Sequence, residues 1–153
     1  MWKIKGFVAL LCSILLVAPA VQAETLPEVE VWRSPSCGCC GAWIAHMREE
    51  GFTVKDHVTQ EMHDVKVGLG VPAAYASCHT ATVGGYLLEG HVPADDVKRL
   101  LAETPDAGRG LLVPGMPVGS PGMEMPGRSD PYDVLLLKED GRVSVFEHHP
   151  SQH

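Results

Sequence analysis

The chain has 153 residues, with 12 Lys and Arg against 19 Asp and Glu and a formal charge of −7. An acid excess of this kind excludes nucleic acid, whose binding rests on basic side chains neutralising phosphates, and argues equally against an anionic membrane surface. The length suits one domain with a modest core.

The first 23 residues read as a secretory leader. Lys3 and Lys5 make a positive start, Phe7 to Val17 is apolar apart from Ser13, and Val21-Gln22-Ala23 is an acceptable cleavage site. The apolar run is too short to span a bilayer. Leu11 before Cys12 disfavours a lipoprotein, and no Arg-Arg pair marks export of a folded protein. The expectation is a periplasmic protein, cut after Ala23, with no stable membrane insertion afterwards. Residues 24–147 then form the domain and residues 148–153 a His-containing tail.

Val29 to Trp32 alternates and predicts a first strand. Arg33-Ser34-Pro35-Ser36 turns into Cys37-Gly38-Cys39-Cys40. Trp43, Ile44 and Met47 recur at helical spacing up to Gly51, which predicts a helix over 41–50. Phe52 to Val58 predicts a second strand, and Thr59 is placed to cap a helix reaching about Gly68. Thr80–Val83 and Tyr86–Glu89 flank Gly84-Gly85 as a hairpin. Pro93 opens a helix with Asp95 and Asp96 in its first turn and Val97, Leu100 and Leu101 on its apolar face. Residues 132–137 and 143–146 make a last hairpin. The order β-α-β-α-β-β-α is that of a thioredoxin-like α/β domain, here with an added C-terminal hairpin.

Residues 114–131 differ from the rest, with five prolines and four glycines in 18 residues and Met116, Met123 and Met125 interleaved. This composition predicts a loop. Methionine is unusual in a plain linker, and Met116 and Met123 are expected to fold over the cysteines and offer thioether sulfur.

Once the leader and Cys12 are removed, four cysteines remain. An exported chain with an even count reads by default as disulfide-bonded. Cys37, Cys39 and Cys40 are too closely packed, however, to staple distant segments. They sit at a predicted helix N-terminus, where the dipole and free N–H groups favour thiolate. Cys37-x-x-Cys40 is redox spacing, but thiol exchange needs only two cysteines in this turn. In a thioredoxin-like fold Ser77-Cys78-His79 faces the same helix end, so four thiols and one imidazole can converge. Zinc accepts such a set, and a metal-free oxidoreductase with Cys37 attacking and Cys40 resolving remains open. Cu(I) is the ion that also accounts for the methionines, and bridging thiolates would allow more than one ion. His91 reads as a helix-start residue, His46, His57 and His63 as solvated, and His148, His149 and His153 as tail residues able to capture Cu(II). No Ser/His/Asp or phosphate-loop constellation is visible.

Four stretches in order resemble one known family: Ser34-Pro35-Ser36-Cys37-Gly38-Cys39-Cys40, Ser77-Cys78-His79-Thr80, Glu89-Gly90-His91-Val92-Pro93-Ala94-Asp95, and Val113 to Glu124. They are similar to the CopG-like periplasmic copper-resistance proteins, over about Val29 to Phe146. The resemblance implies a thioredoxin-like fold with Cys37, Cys39, Cys40 and Cys78 as copper ligands. It also implies a copper-linked oxidoreductase role. Expected partners are copper ions and the periplasmic copper exporters or chaperones that would exchange them.

Overall fold

The computed structural model describes residues 25–151, so the leader, Cys12 and His153 lie outside the described residues. One mixed sheet of seven strands forms the spine. The strands are β1 (Val29–Arg33), β2 (Val54–Val58), β3 (Thr80–Val83), β4 (Tyr86–Glu89), β5 (Gly108–Leu112), β6 (Tyr132–Lys138) and β7 (Val143–His149), in the spatial order β2-β1-β3-β4-β5-β6-β7. The helices are α1 (Gly38–Glu49), α2 (Met62–Gly68) and α3 (Ala94–Glu103). β1 pairs parallel to β2 and antiparallel to β3, so the parallel crossover is made through α1. Among the described residues no helix is long and apolar enough to cross a membrane.

The two faces follow from side-chain alternation. Val29, Val31, Ala81, Leu88, Leu111, Val134 and Leu136 share the face covered by Trp43, Ile44 and Met47 of α1 and Val97 and Leu100 of α3. On the opposite face Leu87, Leu112 and Leu137 meet Leu69, Val71 and Tyr75 from the α2 side. α1 also locks to the start of α3 by polar contacts. Trp43 Nε1 donates to the Val92 carbonyl at 2.8 Å, and His46 Nε2 accepts the Ala94 N–H at 3.1 Å. His46 is therefore a tie between two helices, not a solvated side chain. His57 likewise has partners, Glu30 at 2.9 Å and the Trp32 ring stacked on it.

Four further expectations need correction. The first helix begins at Gly38, so Cys39 and Cys40 are inside it and Cys37 is its N-cap. A strand, β5, stands where none was predicted; its Gly-Arg-Gly start has little strand propensity. Gly110 is what lets it fit, because a Cβ there would run into the Leu87 backbone. Third, His148 and His149 are not tail residues. Pairing of Tyr132 with His149 carries β7 to that point. His148 Nδ1 lies 2.6 Å from Asp133, while His149 donates to buried Asp96 at 2.7 Å and stacks on Tyr132. Thr59 accepts the Glu61 N–H in a short turn at 3.0 Å and does not cap α2, whose N-cap is Glu61.

Candidate metal centre

β1 delivers the chain to Cys37, and β3 runs antiparallel beside it with Trp32 opposite Thr80. The residues just before β3 therefore fall at the same sheet end as the residues just after β1. That register brings Cys78 to the cysteine run. The sulfurs of Cys37, Cys39, Cys40 and Cys78 all lie within 4.8 Å of one another. Two sulfurs on one ion, each about 2.3 Å from it, can be at most about 4.6 Å apart, so the four lie within reach of a shared metal once all of them are free thiols.

Cys37 and Cys40 are joined as a disulfide, with Cα atoms 5.4 Å apart, while Cys39 and Cys78 are free. Cys39 Sγ is 3.5 Å from Cys37 Sγ. Cys40 is fully buried; the other three are half-buried and line the way in. No acidic residue sits in the first turn of α1, so the helix dipole acts on the cysteines unopposed. Cys78 has no such help. Burial, and then the Cys39 thiol beside it, push its thiol up to about 11, which holds it protonated until a metal displaces the proton.

A second cluster shares Cys78. Its sulfur, His79 and His91 also offer ligand atoms within 4.8 Å of one another. Both rings are fully buried. His91 Nδ1 is 2.7 Å from the Pro121 carbonyl, which can only accept, so Nδ1 carries the proton. Nε2 is then a bare lone pair aimed at Cys78 Sγ, 3.1 Å away. This is the arrangement that fixes a ligating histidine's tautomer. His79 Nδ1 is 3.3 Å from the same sulfur, and its buried Nε2 has no hydrogen-bond partner of good geometry. Burial drives the His79 pKa well below the usual imidazole range, with His91 and Lys66 adding to the effect; burial also lowers His91. Both are neutral, metal-competent imidazoles. Sequence reasoning assigned His91 to the helix start and missed this. The available signal was that His91 follows Glu89-Gly90 at the end of β4, level with Thr80 and so with Cys78.

The Pro/Gly/Met loop closes over the site. Besides the His91 contact, Ser77 Oγ donates to the Gly115 carbonyl. Gly122, at φ +86°, lies so close to α1 that a Cβ would stand 2.8 Å from Trp43 N and 2.9 Å from Cys39 O. The two methionines are not brought in equally. Met116 is 52% exposed, whereas Met123 is half-buried next to Gly122. Met125 is exposed as well.

The family model described as "Protein of unknown function, DUF411", the CopG-like family, covers residues 75–123. It spans Cys78, His79, His91 and most of the covering loop, and stops short of the Cys37–Cys40 run. No curated protein matches the chain. A solved structure titled "Copper resistance protein copG- Form 1" is 46% identical, with a TM-score of 0.77, covering 82% of this chain and 98% of that one. A second, "Copper resistance protein copG- Form 2", is also 46% identical, with a TM-score of 0.78 and 82% and 99% coverage. The fold is thioredoxin-like α/β, as those structures are matched across nearly their whole length. With nearly half of its residues identical over four-fifths of its length, the chain belongs to the CopG family of copper resistance proteins.

Proposed function

We propose that this is a copper-tolerance protein of the periplasm that binds Cu(I) through Cys37, Cys39, Cys40 and Cys78 and then sequesters it or hands it on. The observation that carries the reading is the convergence within 4.8 Å of four sulfurs from two separate segments, the start of α1 and the loop before β3. Soft thiolates select Cu(I), and four of them bridging can hold more than one ion. The names of the two similar structures support copper as the cargo. His79 and His91 extend the donor set around Cys78, and Met123, with Met116 at the rim, would supply thioether sulfur. Loading has a redox condition. The Cys37–Cys40 disulfide must first take two electrons from a dithiol donor, which is itself oxidised to its disulfide; the freed thiols then exchange their protons for copper. Export through the leader puts the protein where copper exporters or chaperones of the periplasm would exchange ions with it.

The disulfide at a helix N-terminus favours one other reading, a thiol–disulfide oxidoreductase using Cys37 and Cys40. One experiment separates the two. Protein reduced under anaerobic conditions is titrated with Cu(I) against a competing chelator, and the same preparation is assayed for insulin reduction. The copper reading expects more than one Cu(I) per chain, lost with Cys78→Ser, and copper in protein purified from copper-supplemented cells. Zinc in that protein, or insulin reduction by a chain that takes up no Cu(I), would overturn it.

A further inference from the structure

Glu89 ends β4 on the α2 face of the sheet and is completely buried. Its carboxylate receives three donors. Oε1 accepts the Ser77 N–H at 2.6 Å and Lys66 Nζ at 2.5 Å, and Oε2 accepts the Thr80 hydroxyl at 2.6 Å. Lys66 also donates to Thr80 Oγ1 at 2.9 Å. Ser77 and Thr80 are the residues on either side of Cys78-His79. One carboxylate therefore brackets the dipeptide that carries the fourth thiol, and one lysine from α2 braces the carboxylate. The backbone adds a third point, Gly90 N to the His79 carbonyl at 3.0 Å. Ser77 lies before β3, so its N–H has no ladder partner and depends on Glu89.

We infer that Glu89, braced by Lys66, is a positioning residue that holds the Ser77–Thr80 segment so that the Cys78 thiol faces the other three sulfurs. A pair that only anchored α2 to the sheet would need Lys66 and Glu89 alone. Here two of the carboxylate's three donors come from the cysteine segment. A buried ion pair is also a poor anchor, since apolar side chains of similar size commonly do as well. The inference rests on the copper reading only for what Cys78 is positioned to do.

The test is made without copper, on protein with the Cys37–Cys40 disulfide intact, so that among the described residues Cys39 and Cys78 are the thiols open to iodoacetamide. Peptide mass spectrometry follows the alkylation rate of each. The double substitution Glu89→Leu/Lys66→Met removes the acceptor and leaves no unpaired buried charge. We expect Cys78 to alkylate about tenfold faster, the change that follows from losing a hydrogen bond that had held it, with Cys39 within twofold of its native rate. Glu89→Gln/Lys66→Met keeps one carbonyl acceptor and falls between. A folded Glu89→Leu/Lys66→Met protein whose Cys78 rate stays within twofold overturns the inference and leaves the pair as an α2 anchor. If that variant does not fold, amide exchange in the native protein decides. A slowly exchanging Ser77 N–H supports the bracket and a freely exchanging one overturns it. Should Cys78 be released while Cu(I) capacity is unchanged, the positioning role stands and Cys78 is not a copper ligand.

Discussion

Gly122→Ala is the sharpest test of whether the Pro/Gly/Met loop is clamped on the cysteine helix. At φ +86° a Cβ carries a backbone cost of about 1–2 kcal/mol. The methyl group also meets backbone, not a pliable side chain. Ordinary contact begins near 3.4 Å, and Trp43 N and Cys39 O would stand at 2.8 and 2.9 Å, so the loop must rise by about half an ångström. Overpacking of this kind costs about 1–3 kcal/mol, and the rise stretches the His91–Pro121 contact from 2.7 Å. The combined loss is about 2–5 kcal/mol, or a fall in Tm of about 10–15 °C for a domain of this size. Gly115→Ala is the internal control. It has a similar φ of +69°, but nothing within 4 Å of its Cβ, so it carries the backbone cost alone. Scanning calorimetry of both metal-free variants should show Gly122→Ala melting clearly lower. Equal shifts for the two would refute the clamp. With the clamp loosened, a Cu(I) chelator should also strip copper faster from Gly122→Ala than from Gly115→Ala.

Further outcomes follow from the same geometry. Cys39→Ser should lower the Cu(I) capacity while any insulin reduction through Cys37 and Cys40 survives; the reverse pattern, measured on one preparation, would favour the metal-free oxidoreductase. His79 and His91 have pKa values lowered from 6.5, so they stay neutral in the folded chain while the unfolded chain takes up protons. Their stability contribution is present above about pH 6.5 and is lost as pH falls towards their folded values. Urea midpoints of metal-free protein should therefore drop below that pH, and more gently in His91→Gln, against the same comparison for the native chain. Met116→Leu/Met123→Leu keeps apolar bulk and removes sulfur. If thioether ligates, copper affinity at acid pH falls more than at neutral pH, because thioether does not protonate where thiolates do; unchanged affinity in a pH-resolved competition would assign both residues to packing.

How far the sequence could be read depended on how local each signal was. The Gly84-Gly85 hairpin and the helix after Pro93 are coded by neighbouring residues, and both stand where periodicity and turn chemistry predict. The approach of Cys78 to the cysteine run was legible through fold topology, since β3 has to lie against β1. β5 was illegible because its strand character comes from its neighbours: β4 and β6 supply hydrogen bonds on both sides, and Gly110 is selected by proximity to Leu87. His148 and His149 were misread for the same reason. A strand edge next to polar residues looks like a tail until Tyr132 and Asp96 are found opposite.

His91 shows the deeper limit. Alone, a histidine two residues before a helix-opening proline is most simply a turn residue. Its role arises only when three separate segments meet: the end of β4 places the ring, the Pro121 carbonyl of the covering loop accepts the Nδ1 N–H, and the Nε2 lone pair is left facing the Cys78 thiol. The same convergence explains why the centre tolerates a disulfide. Closing Cys37 onto Cys40 withdraws two sulfurs, yet Cys39, Cys78, His79 and His91 remain as a mixed sulfur and nitrogen set around one half-buried thiol. Softness predicts the consequence. The reduced protein, with four thiolates, should favour Cu(I), whereas the oxidised protein keeps imidazoles that suit Cu(II) or zinc. The two redox forms should therefore differ in which metal they retain through a desalting column. Identical metal selectivity in both forms would mean that the histidines are only structural neighbours of Cys78.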